Sequence, residues 1–205
     1  MHGVQYLMID QTIHLYEKIS LFDAGLLMAL ALVIGHLVAL LYPRQTVGLM
    51  KSLCYAERWG QVLFTLDFIW IILLLWDAPW NPLRMELFDF NFARKFLLIL
   101  SPIMWYTLCF HAKRNLFGRA LGLFLLLLGI VPLTAAFLKE PDTRILIPLW
   151  WYPVLTFAIF LVPMPYLLRD CVDWLAQRLR LLRVLAAAGL AYGVLMLVCA
   201  ILYWS

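Results

Sequence analysis

The chain has 205 residues, of which 65% are hydrophobic and 14% charged, and its mean hydropathy is +0.91. Soluble domains contain about 45–50% apolar and about 25% charged residues, so this chain has too few ionic side chains to cover a surface that faces water. The composition argues against a water-soluble enzyme, a disordered regulator and a disulfide scaffold. The net charge of +4 is spread thinly, which argues against a nucleic-acid partner. A polytopic membrane protein remains.

Residues 1–20 do not have the features of a cleaved secretory signal. They contain no basic segment ahead of the apolar run, and no small-residue cleavage site follows it. We expect residues 4–19 to form a short helix in the membrane interface. The apolar run 21–42 is then a retained membrane anchor.

Six stretches are predicted to cross the membrane, because a transmembrane helix needs about 20 predominantly apolar residues. The third of them is short unless it includes residues from Phe92 onward. The predicted spans are residues 21–42, 60–76, 93–110, 116–138, 145–168 and 182–204. The connections are too short for a separate domain, so we expect an all-α polytopic helical bundle that forms one transmembrane domain over residues 1–205, with short loops and interfacial amphipathic helices.

Two connections are predicted to be helices on the membrane surface. In residues 44–58, a seven-residue period places Arg44, Lys51 and Arg58 on one helical face. Between spans five and six, a polar stripe opposes an apolar one. The basic residues that face lipid or a partner in these two segments are Arg44, Lys51, Arg58, Arg178, Arg180 and Arg183. They either bind a cytoplasmic partner or anionic lipid, or simply anchor the protein at the interface.

The same residues predict the orientation. Most Lys and Arg residues lie in the connections between spans one and two, three and four, and five and six. Cytoplasmic loops carry the excess of Lys and Arg. We therefore expect a bacterial inner-membrane protein with these connections in the cytoplasm and both termini in the periplasm.

The outer loop over residues 77–95 is rich in proline and aromatic residues. Pro79 and Pro82 end the second span, and Phe88 to Phe92 alternate aromatic and polar residues. This alternation is typical of a short extended segment or a re-entrant edge. With Trp80, the phenylalanines serve either as interfacial anchors or as a partner contact.

Spans four and six each contain a pair of glycines at helical spacing. The pairs are Gly118 with Gly122 and Gly189 with Gly193. Without side chains, two helix backbones can approach closely at such positions. The contact lies either within this bundle or with another subunit.

Span five contains four prolines, namely Pro148, Pro153, Pro163 and Pro165. An interior proline frees a backbone carbonyl. Many transporters build their substrate site from a broken helix, and this is one interpretation of span five. Kinked packing without a substrate is the other.

The candidate functional residues are ionisable groups at membrane depth, because their insertion is costly. Asp67 lies seven residues after Gly60, and His36 lies seven residues before Pro43 on an antiparallel span. The two therefore lie at about the same depth. Arg119 lies at a shallower position, and His111 ends span three. We expect these four side chains to converge in the cytoplasmic half.

Such a cluster has four interpretations. A carboxylate and an imidazole can relay protons or ions, and the same pair can serve a lipid-processing enzyme as acid and base. His36 and His111 are the one plausible pair of ligands for a b-type haem. Alternatively, Asp67 pairs with His36 or Arg119 and fixes the helix register.

Catalytic and metal-binding motifs are missing from the sequence, which has no G-x-S-x-G, no H-E-x-x-H, no glycine-rich phosphate loop and no C-x-x-C. The four cysteines are isolated, so we expect no metal site and, apart from the haem option, no cofactor. We expect an integral subunit of a larger inner-membrane complex with a structural, assembly or coupling role. Its partners would be membrane lipids and other membrane-protein subunits. The alternatives are a proton- or ion-coupled transporter or channel using Asp67 and His36, a membrane-embedded lipid-processing enzyme and a b-haem electron-transfer subunit.

Overall fold

The computed structural model describes residues 15–78, 81–85, 91–111 and 115–204. Over these residues the chain is all-α without strands, as predicted. The eight α-helices of this part are α1 (Leu21–Leu41), α2 (Pro43–Tyr55), α3 (Glu57–Leu75), α4 (Ala93–His111), α5 (Leu116–Ala136), α6 (Leu146–Leu161), α7 (Tyr166–Ala176) and α8 (Leu179–Tyr203). Short 3-10 helices over Leu15–Lys18 and Asp142–Ile145 precede α1 and α6.

Six of the described helices are long and apolar enough to cross a membrane. They are α1, α3, α4, α5, α6 with its preceding 3-10 turn, and α8, which confirms the six predicted spans. Such a set of helices fits an integral membrane protein. The remaining two, α2 and α7, are shorter and more polar.

The first surface helix ends earlier than predicted. Pro43 begins α2, at a position where the missing N–H would have no helical partner. The helix stops at Tyr55 because Ala56 is extended, and a new helix begins at Glu57. Arg58 therefore lies in the first turn of α3, and the prediction that it continues the Arg44–Lys51 face of one helix is wrong.

The predicted fifth span divides at its second pair of prolines. Here α6 ends at Leu161 and α7 begins at Tyr166, because Pro163 and Pro165 cannot donate the backbone hydrogen bonds that would continue the helix. Pro153 lies inside α6 without interrupting it. Of the predicted fifth span, the part before Pro163 is therefore one continuous helix, and the second pair of prolines separates it from α7.

The bundle is organised around α5, which packs between α3 and α6. On the far side, α1 and α8 form a long antiparallel pair that joins α5 and α6 through an apolar core containing Ala29, Ile147, Met196 and Ala200. At the periphery, α4 packs along α3. The two amphipathic helices α2 and α7 pack together across one end of the bundle, which is called the α2–α7 end below. The opposite end is the loop end.

Several predicted features lie outside the described residues. These are most of the interfacial helix over residues 4–19, the loop residues Pro79, Trp80, Phe88 and Phe90, and the basic residues Lys113 and Arg114. Phe92 is described, and 80% of it is exposed.

Candidate functional site

Asp67 lies in the middle of α3, ten residues after Glu57 and eight before Leu75. At 1.5 Å per residue this is about 15 Å from the start of the helix, close to the centre of a hydrocarbon core about 30 Å thick. The side chain is fully enclosed, with 0% exposure. Neither carboxyl oxygen has a hydrogen-bond partner among the residues the structure describes.

The buried stripe of α3 that contains Asp67 faces α5. Gly60 lies against the backbone of Leu116 and Phe117, and Phe64 packs with Leu116 and Ala120. Beyond Asp67, Leu74 packs against Leu127. Asp67 therefore lies between two apolar clusters of the α3–α5 interface. A carboxyl group without a hydrogen-bond partner is costly to bury in such surroundings.

His36 lies at a different helix interface. Its ring covers Gly189 of α8 and meets Trp150 of α6 edge-on, with the ring centroids 5.7 Å apart. Its Nδ1 is 2.7 Å from the carbonyl oxygen of Leu32 one turn earlier. The imidazole is thus held within the α1–α8 pair. The expected pairing of Asp67 with His36 or with Arg119 does not occur, because the Asp67 carboxyl has no partner in the described part of the chain.

The two histidines proposed for a haem are not brought together. His111 is exposed at the end of α4, where its ring contacts Tyr106 with the centroids 5.9 Å apart. Since α4 packs along α3, while His36 lies between α1, α6 and α8, the two imidazoles lie in different parts of the bundle. No group of three His, Cys, Asp or Glu residues that could hold a metal occurs within the described ranges.

Arg119 lies in the first turns of α5 and lines a lateral groove of about 490 Å³. Phe64, Phe68, Ile71 and Leu75 of α3 line the same groove, and α4 forms a wall of it. Arg119 is half-buried, and none of the described residues gives it an ion pair or a hydrogen bond. Arg119, one of the four predicted site residues, therefore lines a cavity.

All four predicted packing glycines are used inside the chain. A Cβ at Gly189 would collide with the His36 ring, and one at Gly193 would lie 3.0 Å from the Leu32 Cβ. At Gly118 a Cβ would lie 2.6 Å from the Pro165 carbonyl oxygen, and at Gly122 it would lie 2.9 Å from the Ala158 oxygen. These helix faces are therefore occupied by α1, α6 and the α6–α7 turn, so we do not assign them to another subunit.

The least buried span is α4. In its most apolar stretch 11% of the residues are buried, against 22% to 39% in the other five described spans, and its mean hydropathy of 1.2 is also the lowest among them. Five of its large exposed side chains recur at alternating intervals of three and four residues. They are Phe96, Ile99, Ile103, Tyr106 and Phe110, each at least half exposed, and are called the outer face of α4 below. Met104 is exposed to the same extent as Phe110 but does not follow this spacing.

The α2–α7 end carries the predicted basic surface. Lys51 of α2 pairs with Asp173 of α7 at 2.8 Å, which ties the two helices together. Burial raises the pKa of the Cys54 thiol, and the Asp173 carboxylate raises it further, while Arg169 acts in the opposite direction. The remaining predicted basic residues are exposed there, namely Arg44, Arg58, Arg178, Arg180 and Arg183. Among them, Arg178 stacks on Trp174 at 4.4 Å.

A polar clamp at the loop end escaped the sequence analysis. Arg94 is 6% exposed, pairs with Asp77 at 3.1 Å and donates a 2.6 Å hydrogen bond to the Met85 carbonyl. The Asn81 amide donates to the carbonyls of Leu73 and Trp76, which have no helical donor at the end of α3. This clamp fixes α4 to the end of α3. The sequence does not indicate that Arg94 is buried and paired, because an Arg in the first turn of a span is also commonly a snorkelling residue.

No known protein family, curated protein or solved structure matches the chain. Function is therefore inferred from the placement of these side chains.

Proposed function

We propose that the chain is an integral-membrane subunit of a larger membrane assembly, and that a transmembrane helix of a partner protein packs along the outer face of α4. The role is structural or coupling, and the basic α2–α7 end faces the cytoplasm. The observation that supports this proposal most is that the least hydrophobic span is also the least buried one. Helices in a membrane associate through packing and not through a hydrophobic driving force, so an exposed face gains from contact with a partner whose side chains interlock with it.

The spacing of the outer face of α4 suits a helical partner. Intervals of three and four residues place all five residues of the outer face of α4 on one seam. This pattern lets side chains of two helices interlock at a shallow crossing angle. The seam carries aromatic and β-branched side chains, which bury a large area at a small cost in rotamer entropy.

Site-specific photocrosslinking in native membranes tests this proposal. Ile103 in α4 and Ile159 in α6 are matched positions, because both are isoleucines with 57% exposure. A photoreactive residue at position 103 is expected to crosslink to one protein that also co-purifies in fixed stoichiometry. The same residue at position 159 is expected to crosslink to lipid.

Alanine substitutions on the seam provide a second test of the proposal. The double change Ile99→Ala and Ile103→Ala should release the co-purifying protein, whereas Ile159→Ala should retain it. Crosslinks to lipid alone at both positions would contradict the proposal, as would a partner that is retained by the α4 double variant.

A proton-coupled transporter is the second candidate, and the enclosed Asp67 favours it. A membrane carboxyl without a partner is able to take up and release a proton when its surroundings change. In that case Asp67→Asn, which keeps the shape of the side chain, should abolish pH-dependent transport by the folded protein.

A carboxyl with no functional role gives a different pattern. Asp67→Asn would then leave transport unchanged, and Asp67→Leu would stabilise the protein, since a buried unpaired polar group costs about 1–3 kcal/mol. Thermal unfolding in detergent measures the second effect. Asp77→Leu serves as the control, because it removes a carboxylate that pairs with Arg84 and Arg94, and it should lower the unfolding temperature.

A further inference from the structure

We propose that the groove between α3, α4 and α5 binds an acyl chain of an anionic phospholipid, whose phosphate pairs with Arg119. The groove has a volume of about 490 Å³, and its lining is apolar apart from Arg119 and Ser101. Met104 lines it and is 52% exposed, so the groove opens sideways toward the surrounding lipid.

The dimensions of the groove fit one lipid chain. On α3 it extends from Phe64 to Leu75, which is about 16 Å at 1.5 Å per residue. That length is close to half of a hydrocarbon core about 30 Å thick.

The charge at one end of the groove selects the headgroup. Arg119 lies one turn into α5, beside Ala120, which packs with Phe64. Its Cβ points toward the start of the helix, so the long side chain reaches the membrane interface at the α2–α7 end by snorkelling. Since Arg119 has neither an ion pair nor a hydrogen bond within the described residues, its charge is available to a phosphate.

The seam proposed for the partner and this groove are on different sides of α4. The seam uses the outer face of α4, and none of its five residues lines the groove. The α4 residues that line the groove are Leu97, Leu100, Ser101, Met104, Trp105 and Leu108. Occupation of one site therefore does not exclude occupation of the other, and the two proposals can fail separately.

Native mass spectrometry of the purified full-length protein tests the groove. The protein in detergent is mixed with phosphatidylglycerol or with phosphatidylcholine of the same chain length, and bound lipid is counted. We expect phosphatidylglycerol to be retained in preference. Arg119→Gln should weaken its retention about fivefold, as expected for loss of one cation near the membrane surface, and should weaken that of the zwitterionic phosphatidylcholine less.

Two further variants complete the test. Arg144→Gln is the matched control, because Arg144 is also half-buried but belongs to the 3-10 helix before α6, and it should retain the preference. Met104→Trp fills the groove and should reduce the binding of both lipids. Equal retention of the two lipids by the wild type, or an unchanged preference in Arg119→Gln, would overturn the proposal.

Discussion

Asp67 and His36 show how far single residues can be predicted from this sequence. Their positions along their helices follow from counting residues, and both lie well inside spans, as expected. Their neighbours could not be predicted. The helix α1 is apolar nearly all round, so no polar stripe indicates which side of it meets α8 and which meets lipid. The expected cluster assumed one common interface, and the structure has two.

The contact between His36 and Gly189 gives a prediction at this scale. Gly189→Ala should destabilise the protein by about 1–3 kcal/mol, because the added methyl group displaces the His36 ring from its position over α8. In a His36→Ala background the same change should cost much less, since the ring is no longer there. The coupling free energy is measured by a double-mutant cycle of thermal unfolding in detergent, and strictly additive costs would contradict this packing.

Prolines determine where helices end, but their effect depends on what surrounds them. Pro163 and Pro165 end α6, whereas Pro153 lies inside it. In α4, Pro102 removes the donor for the Leu98 carbonyl, and the Ser101 hydroxyl supplies a 3.3 Å hydrogen bond to that oxygen. The sequence indicates that a proline inside a helix leaves the carbonyl four residues earlier without its helical donor. Whether the helix continues depends on side chains and neighbouring helices, which a pattern of residue types does not specify.

The close approach of α3 to α5 can be tested by a single mutation. A Cβ at Gly60 would lie 2.7 Å from the Phe117 backbone nitrogen, and a backbone atom cannot rotate away as a side chain can. We expect Gly60→Ala to destabilise the protein by about 1–3 kcal/mol.

Gly35 in α1 provides the control for that variant. A Cβ at Gly35 meets no described atom within 4 Å, so Gly35→Ala removes backbone freedom at no steric cost. It should be neutral or stabilise the helix by about 0.5–1 kcal/mol. Equal effects of the two variants on the unfolding temperature would show that α3 and α5 are not in backbone contact.

At the scale of the molecule, the apolar runs were sufficient to predict all six spans, because length and hydropathy alone decide which segments can cross a bilayer. The arrangement of the spans was not predictable in this way. The most extensive helix pair joins the first span to the last, and its contacts depend on glycines that are equally compatible with contacts to another subunit.

The proposed orientation gives a prediction for the whole chain. Cys171 is exposed on α7, and Lys139 is exposed beyond the end of α5 at the loop end. With the other three cysteines replaced by serine, a membrane-impermeant maleimide added outside intact bacterial cells should spare Cys171. A chain with Lys139→Cys as its single cysteine should react. Labelling of both Cys171 and Lys139→Cys from outside would contradict the proposed order of the spans. Labelling of Cys171 alone would show that the orientation is the reverse of the proposed one.

The pairing of α1 with α8 has a consequence for biosynthesis. Of the six described spans, α1 is synthesised first, whereas α8, which the His36 ring covers and Leu32 contacts, is synthesised last. Until α8 has been made, α1 is therefore without its main partner. The bundle closes late, by a contact between segments far apart in the chain, which is the slowest kind of contact to form.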